Sequence, residues 1–277
     1  MRSRPIERME LPDLEPGAAP TPAPTFIWIH PATLLVDENY QRNLTRQSLT
    51  LIRKIVAHWD WARFKPPIVA KAGATYEVID GQHTAIAAAS HPQIDTIPVM
   101  VVLAEMMEER ASAFVGHNRD RIGLTPLQIY YGMLAAGDED AQTVEQVCNR
   151  AGVSLPRYPP STTNAGWKPG ECIAVYAIQT LINRRGAMAA RVVLQVLSNA
   201  HCAPIRMGQI RAVEEILHSR EYKGQVSGDD LTSAIMRLGP EADREAKIFS
   251  AAHNVQEWRG LTVVYFREGR RGRRRAG

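Results

Sequence analysis

The sequence lacks the patterns that mark membrane, exported and metal-bound proteins. No stretch approaches the ~18 consecutive apolar residues that a bilayer span requires, and the N-terminal residues contain no apolar core of the kind a secretory signal needs. The three cysteines, Cys148, Cys172 and Cys202, form no C-x-x-C pair, which argues against a zinc site and against a disulfide framework. We therefore expect a cytoplasmic protein that does not enter a membrane.

The sequence also lacks an excess of positive or negative charge outside its C-terminal residues. The net charge is +4, and residues 267–277 (REGRRGRRRAG) hold six arginines and one glutamate, which account for all of it. This segment is too hydrophilic to bury and too rich in glycine to hold a helix, so the sequence predicts a disordered tail that can lie along nucleic acid. A solubilising terminus with no specific target is the alternative. The predicted nucleic-acid-binding residues are Arg270, Arg271, Arg273, Arg274 and Arg275.

The first part of the chain combines a proline-rich start with alternating strand and helix patterns. Six prolines within residues 1–25 predict a disordered leader. The following segments predict strand, helix, strand, strand, helix and strand in turn: FIWIH, RQSLTLIRKIVAHW, PPIVAK, TYEVID, QHTAIAAAS and TIPVMVVL. Alternating elements of this length predict a small mixed β-sheet covered by helices. Further on, Thr125 and Pro126 have the residue types of a helix N-cap and first helical position.

Beyond residue 138 the pattern is almost wholly helical. VEQVCNRAGVSLPRY is similar to the start of a helix-turn-helix, but Pro156, Pro159 and Pro160 occupy the place of a recognition helix. The sequence therefore predicts an α+β fold in which an N-terminal α/β domain, residues 26–131, precedes an all-α C-terminal domain, residues 132–266. The leader, 1–25, and the tail, 267–277, flank these two domains.

The most informative motif is a strand, a turn and a helix in YEVIDGQHTAIAAAS, residues 76–90. Asp80 and Gly81 form the turn, and the helix is expected to begin near Gln82. Backbone N–H groups of a first helical turn lack internal partners and lie at the positive end of the helix dipole, so they favour an anion such as phosphate. His83 adds a group that titrates near neutral pH, and Thr84 adds a hydroxyl. The alternative is an ordinary strand–helix junction capped by Asp80, with His83 simply exposed.

Two boxes in this region carry a family resemblance. YEVIDGQHTAIAA followed by IPVMVV resembles the phosphate-binding core of the ParB and sulfiredoxin-like superfamily. HNRDRIGLTPLQ resembles the Glu-Asn-x-x-Arg box and the Leu-Thr-Pro-Leu-Glu segment of ParB proteins, with Asn118, Arg121 and residues 124–127 in register. The resemblance covers about residues 26–131 and implies a ParB-like N-terminal domain.

The resemblance also implies a ligand and the roles of its binding residues. In ParB proteins the two boxes face each other around the triphosphate of a cytidine nucleotide. By this resemblance the phosphate would be held by Gly81, Gln82, His83 and Thr84 on one side. Asn118 would face a magnesium ion, and Arg121 would face phosphate oxygens from the other side.

Three departures from the family pattern limit the chemistry that the resemblance implies. Thr84 stands where the family usually has an arginine, so a bidentate contact to phosphate is missing. His117 replaces the glutamate on which nucleotide hydrolysis depends, and Gln82 replaces the nucleophilic cysteine of sulfiredoxins. We therefore expect binding without efficient turnover.

The leading hypothesis is a ParB-like, DNA-associated protein of a plasmid, phage or chromosome partition or regulation type. Its expected partners are DNA, CTP or another nucleotide with magnesium, and a second copy of the chain in a homodimer. One alternative is a metal-dependent nuclease or phosphotransferase in which His83 and Asp80 are catalytic, with His117 and Arg121 in the same polar pocket. The other is a non-catalytic interaction protein whose ligand site has degenerated.

Overall fold

The computed structural model describes residues 5–18, 22–39, 41, 44–119, 123–160 and 166–276, and within the last helix it describes side chains as far as Gly272. The chain divides into two compact units, residues 1–122 and residues 123–277. The sequence predicted the end of the first domain at residue 131. Within the predicted leader, residues 5–18 form no helix or strand.

The first unit contains strands and helices in alternation. In chain order they are β1 (Thr25–Ile29), β2 (Leu34–Leu35), α1 (Arg46–Ala57), β3 (Ile68–Ala72), β4 (Thr75–Asp80), α2 (Gln82–Ser90), β5 (Ile97–Val102) and α3 (Met107–Arg119). A short 3-10 helix, Pro31–Thr33, precedes β2. The predicted alternation of elements is confirmed, and β2 with the short helix before it was not predicted.

The five strands form one mixed sheet in the order β1-β5-β3-β4-β2. β5 pairs antiparallel with β1 and parallel with β3, whereas β4 pairs antiparallel with β3 and parallel with β2. Alternate residues of the central strands bury opposite faces, as the period of two requires. Val69 and Val78 lie in a cluster with Ala88 of α2, and Ile68 and Ile79 lie in a cluster packed against Phe114 of α3.

The described part of the second unit is helical, as predicted. Its elements are α4 (Pro126–Ala135), α5 (Glu139–Ala151), α6 (Val175–Arg185), α7 (Ala187–Asn199), α8 (Met207–His218), α9 (Gly228–Leu238), α10 (Glu241–His253) and α11 (Glu257–Ala276). Thr125 caps α4 in a capping box with Gln128, so the predicted helix start is confirmed. Of the segment between α5 and α6, residues 153–160 and 166–174 contain no helix that could read a DNA groove.

A buried carboxylate joins two helices of this unit. The side chain of Glu214 in α8 is 5% exposed. Its carboxylate oxygens accept hydrogen bonds from Arg184 Nη2 at 2.7 Å and from Arg185 Nε at 2.9 Å, and both arginines lie in the last turn of α6. The carboxylate is compensated by two guanidinium groups, which an ion this deeply buried requires. The arginine pair at this position therefore serves helix packing within the second unit.

The arginine-rich C-terminus is the clearest correction to the sequence prediction. We expected residues 267–277 to be disordered, but α11 continues through Ala276, and Gly277 lies outside the described residues. Glu268 of α11 accepts from Arg237 of α9 at 2.9 Å, and Gly269 lies against Val226. These contacts with the rest of the unit outweigh the weak helix propensity of glycine, because tertiary packing supplies most helical stability in proteins.

The packing of α11 on α10 gives a testable consequence at Gly260. A Cβ at this position would overlap the Ala246 carbonyl oxygen and the Ser250 hydroxyl of α10. We expect Gly260→Ala to lower the free energy of unfolding by about 2 kcal/mol, because overpacking forces the two helices apart. Urea titration followed by far-UV circular dichroism measures the change.

The matched control is Gly132→Ala in α4, where a Cβ would meet no atom within 4 Å. This substitution should raise the free energy of unfolding by about 0.5–1 kcal/mol, since alanine is the better helix former. Equal effects of the two substitutions would contradict the close helix contact at Gly260.

Candidate functional site

The junction between β4 and α2 is a tight turn at a single glycine. Asp80 ends β4, Gln82 begins α2, and Gly81 between them adopts φ 90° and ψ 19° in the left-handed region. A Cβ at Gly81 would lie 2.9 Å from the Cα of Pro67. Both the positive φ and this close approach require glycine, since a side chain would strain the backbone and collide with Pro67, the residue before β3.

The start of α2 has no side-chain cap. Asp80 does not cap the helix; its Oδ1 accepts from the N–H of Gly81 at 2.9 Å, and Gly81 is the N-cap residue. The alternative prediction, in which Asp80 caps the helix, is therefore wrong. The first turn carries no acidic residue, and its leading N–H groups, from Gln82 to Thr84, have no carbonyl four residues earlier in the helix to bond. This helix end can accept an anion.

The turn opens into a cavity of about 380 Å³ within the first unit. Its lining residues come from the turn, from α1, from the segments before β3 and α1, and from α3. They are Gln41, Leu51, Ile55, Lys65, Asp80, Gly81, Gln82, His83, Thr84, Phe114 and Asn118. The cavity therefore gathers the four residues of the first box that the resemblance implied, together with one residue of the second box.

The second box is only partly described. Asn118, in the last turn of α3, lines the cavity, and its Nδ2 donates to the carbonyl oxygen of Phe114 at 2.8 Å. Its side-chain oxygen and the second N–H of Nδ2 keep hydrogen-bonding capacity for a ligand. Arg121, the second residue expected to face phosphate, lies outside the described residues. His117 is described on α3 but does not line this cavity.

Lys65 is a cavity residue that sequence reasoning missed. Its Nζ lies 3.6 Å from Asp80 Oδ2, and its side chain is 60% exposed, so it offsets the carboxylate and remains accessible. The feature that could have indicated Lys65 is the hairpin formed by β3 and β4, in which Ile68 pairs with Asp80. Counting back along this register places Lys65 beside the turn. Because this register depends on strand pairing, residue types and spacing alone do not connect the cation with the turn.

Gln41 is the other cavity residue that the sequence did not indicate. Its Nε2 donates to the carbonyl oxygens of Val78 and Ile79, each at 3.0 Å, and the residue is buried. These bonds tie the segment before α1 to β4. Gln41 therefore lines the cavity and holds the segment before α1 against the end of β4.

The described residues contain no group of three or more histidine, cysteine, aspartate or glutamate side chains that could hold a metal ion. His83, His117 and Asp80, which the enzymatic alternative would combine around a metal, do not form such a group. Any magnesium at Asn118 would therefore have to be held mainly by ligand phosphates and water.

The arginines of α11 belong to the second unit. Arg270 lies over the ring of Phe266 at 5.6 Å, and Arg271 pairs with Glu268 at 3.8 Å. The side chains of Arg273, Arg274 and Arg275 lie outside the described residues. No helix in the described part of the chain is long and apolar enough to cross a bilayer.

Comparisons with known proteins add one structural similarity. No protein-family model and no curated protein matches the sequence. Among solved structures, the chain is similar to the crystal structure of the C-terminally truncated chromosome-partitioning protein ParB from Caulobacter crescentus complexed with CTP-gamma-S. The identity is 11% and the TM-score 0.33, over 88% of this chain and 98% of that chain. A similarity at this level supports no argument about function, so the resemblance to ParB proteins is carried by the two sequence boxes.

The geometry of the turn gives a stability prediction. Gly81→Ala should lower the free energy of unfolding of the first unit by about 3 kcal/mol, because it combines a strained backbone with a collision at Pro67. Gly73→Ala is the matched control, since Gly73 also has a positive φ, of 64°, but a Cβ there would meet nothing within 4 Å. It should cost only about 1 kcal/mol.

Denaturant titration of the two variants measures the difference between a strained backbone alone and a strained backbone with a collision. Equal losses of stability would show that Pro67 does not press on the turn.

Proposed function

We propose that this chain is a ParB-like, DNA-associated protein that binds the phosphate groups of a nucleotide at the Asp80–Thr84 turn. The observation that carries the proposal is the uncapped start of α2, which opens into a cavity also lined by Lys65 and Asn118. Helix N–H groups, a lysine and an amide are the groups that proteins use to hold phosphate oxygens.

The charge balance of the cavity is compatible with an anion. Asp80 is the acidic lining residue, but one of its oxygens accepts from Gly81 and the other faces Lys65. Its charge is therefore already compensated on the side of the turn. Lys65 and Asp80 together add no net charge, and the exposed ammonium of Lys65 is a cationic donor in a cavity where Thr84 takes the place of the arginine that the family resemblance leads one to expect.

A second cavity beside the first favours a whole nucleotide over a bare phosphate. This cavity, of about 240 Å³, shares Lys65 and Thr84 with the first and is lined further by Trp59 and Phe64. The two rings lie 5.6 Å apart, and Trp61 contacts both of them. Aromatic side chains next to a phosphate site offer an apolar surface for a base or a sugar.

The proposal favours binding without efficient turnover. His117 stands where the family has its hydrolytic glutamate, and it does not line the cavity. Efficient hydrolysis of a bound nucleotide would require a general base within hydrogen-bond reach of the attacking water. CTP with magnesium is the first ligand to test, because the resemblance to ParB proteins implies it.

Nucleotide binding is tested by thermal shift over a panel of nucleoside triphosphates with and without magnesium. A ligand at ~100 times its Kd should stabilise the first unit by about 2.7 kcal/mol, because it binds only the folded state. We expect Lys65→Ala to weaken binding about tenfold, since it removes one charge-assisted contact to phosphate.

The control is Lys71→Ala, because Lys71 is an exposed lysine of β3 that does not line either cavity. It should bind nucleotide like the unaltered protein. Absence of stabilisation by every nucleotide, or identical affinities for the two variants, would refute the proposed site.

DNA association is proposed to use the basic end of α11. Replacing Arg270 and Arg271 with glutamine should weaken DNA binding and reduce the slope of log affinity against log salt by about 2, because each lost phosphate contact removes ~0.9 from the slope. Fluorescence anisotropy with a labelled duplex at several salt concentrations measures both quantities.

Arg244→Gln serves as the control for the DNA measurement. Arg244 is an exposed arginine of α10, paired with Glu241 at 3.0 Å and outside the α11 run. An unchanged slope in the double variant, or the same change in the control, would argue against α11 as the DNA contact.

A further inference from the structure

A cavity of about 480 Å³ lies within the second unit, in a different unit from the turn and outside the proposed function. Its walls are the segment before α6, the segment between α7 and α8, the first turns of α8 and α10, the end of α9 and one residue of α11. The volume falls within the ~300–1,000 Å³ range of small-molecule sites. This cavity has both a charged part and an apolar part.

The charged part is a pair of opposite charges. Arg206, immediately before α8, places Nη2 2.6 Å from Oδ2 of Asp243 in the first turn of α10. The two side chains remain 50% and 42% exposed. A guanidinium has five N–H donors and a carboxylate has two acceptor oxygens, so each group keeps hydrogen-bonding capacity beyond this one bond.

The remainder of the cavity is preformed and mostly apolar. Gln209, which is buried, accepts from the N–H of Arg206 at 2.9 Å, so the backbone that carries the arginine is held in place. Tyr265 of α11 is only 1% exposed and forms part of the wall. Ile235 and Met236 of α9 provide apolar surface beside the charged pair.

We propose that this cavity binds a free α-amino acid with an apolar side chain. The ligand carboxylate contacts Arg206, its ammonium contacts Asp243, and its side chain packs against Ile235 and Met236. Arg206 and Asp243 already neutralise each other, so a simple organic acid or a simple amine would bring one uncompensated charge into the cavity. A zwitterion contacts both members and adds no net charge, which avoids the cost of a partly desolvated, unpaired ion.

Isothermal titration calorimetry of the full chain tests the proposal with leucine, methionine and phenylalanine as probes. At least one of them should bind saturably. N-acetyl-leucine, which lacks the ammonium, and isoamylamine, which lacks the carboxylate, should each bind at least about tenfold more weakly than leucine. No heat of binding from any probe at about 10 mM, or undiminished binding of either truncated ligand, would overturn the proposal.

Variants locate the binding within the cavity. Arg206→Ala and Asp243→Asn should each weaken amino-acid binding about tenfold. Met236→Trp, at a half-exposed position that tolerates a larger side chain, should block binding by filling the cavity while it leaves the ion pair intact. This variant keeps the test valid if loss of the ion pair impairs folding.

The matched control is Arg244→Ala, which breaks a comparable arginine–carboxylate pair on α10 that does not line the cavity. Its affinity for the probes should equal that of the unaltered protein. Undiminished binding in Met236→Trp, or equal losses in the control and in Arg206→Ala, would place the ligand elsewhere and overturn the assignment.

Discussion

The candidate site depends on the close approach of one backbone turn to a neighbouring strand. Gly81 has a positive φ and lies so near Pro67 that a Cβ would be 2.9 Å from its Cα. Because the chain turns this sharply, α2 begins directly after β4, and no side chain caps its first turn. The uncapped helix end is therefore a consequence of how β3 and β4 pack at their ends.

The same hairpin also determines the electrostatics of the cavity. Pairing of Ile68 with Asp80 brings Lys65 beside the turn, where it offsets the Asp80 carboxylate. A positive charge thus comes from the segment before β3, whereas the family resemblance implied charge on α2 and after α3. Position 84 carries threonine, and the cation beside the turn comes from another part of the fold.

The second unit depends on tertiary contacts along α11 in a comparable way. Glycines that would weaken an isolated helix lie where α11 touches its neighbours, Gly260 against α10 and Gly269 against Val226. The absence of a Cβ allows the helices to approach closely, and this packing offsets the lower propensity of glycine. The backbone of the arginine run consequently continues an ordered helix.

The sequence by itself determined the local elements of the fold. The α+β class, the strand–turn–helix at residues 76–90 and the capping box at Thr125 all follow from periodicity and capping over short distances. Only the tertiary structure decided that Lys65 reaches the turn, that Glu214 gathers two arginines and that α11 extends through Ala276. These features depend on residues far apart in the chain, whose proximity is set by strand register and helix packing, which local pattern does not encode.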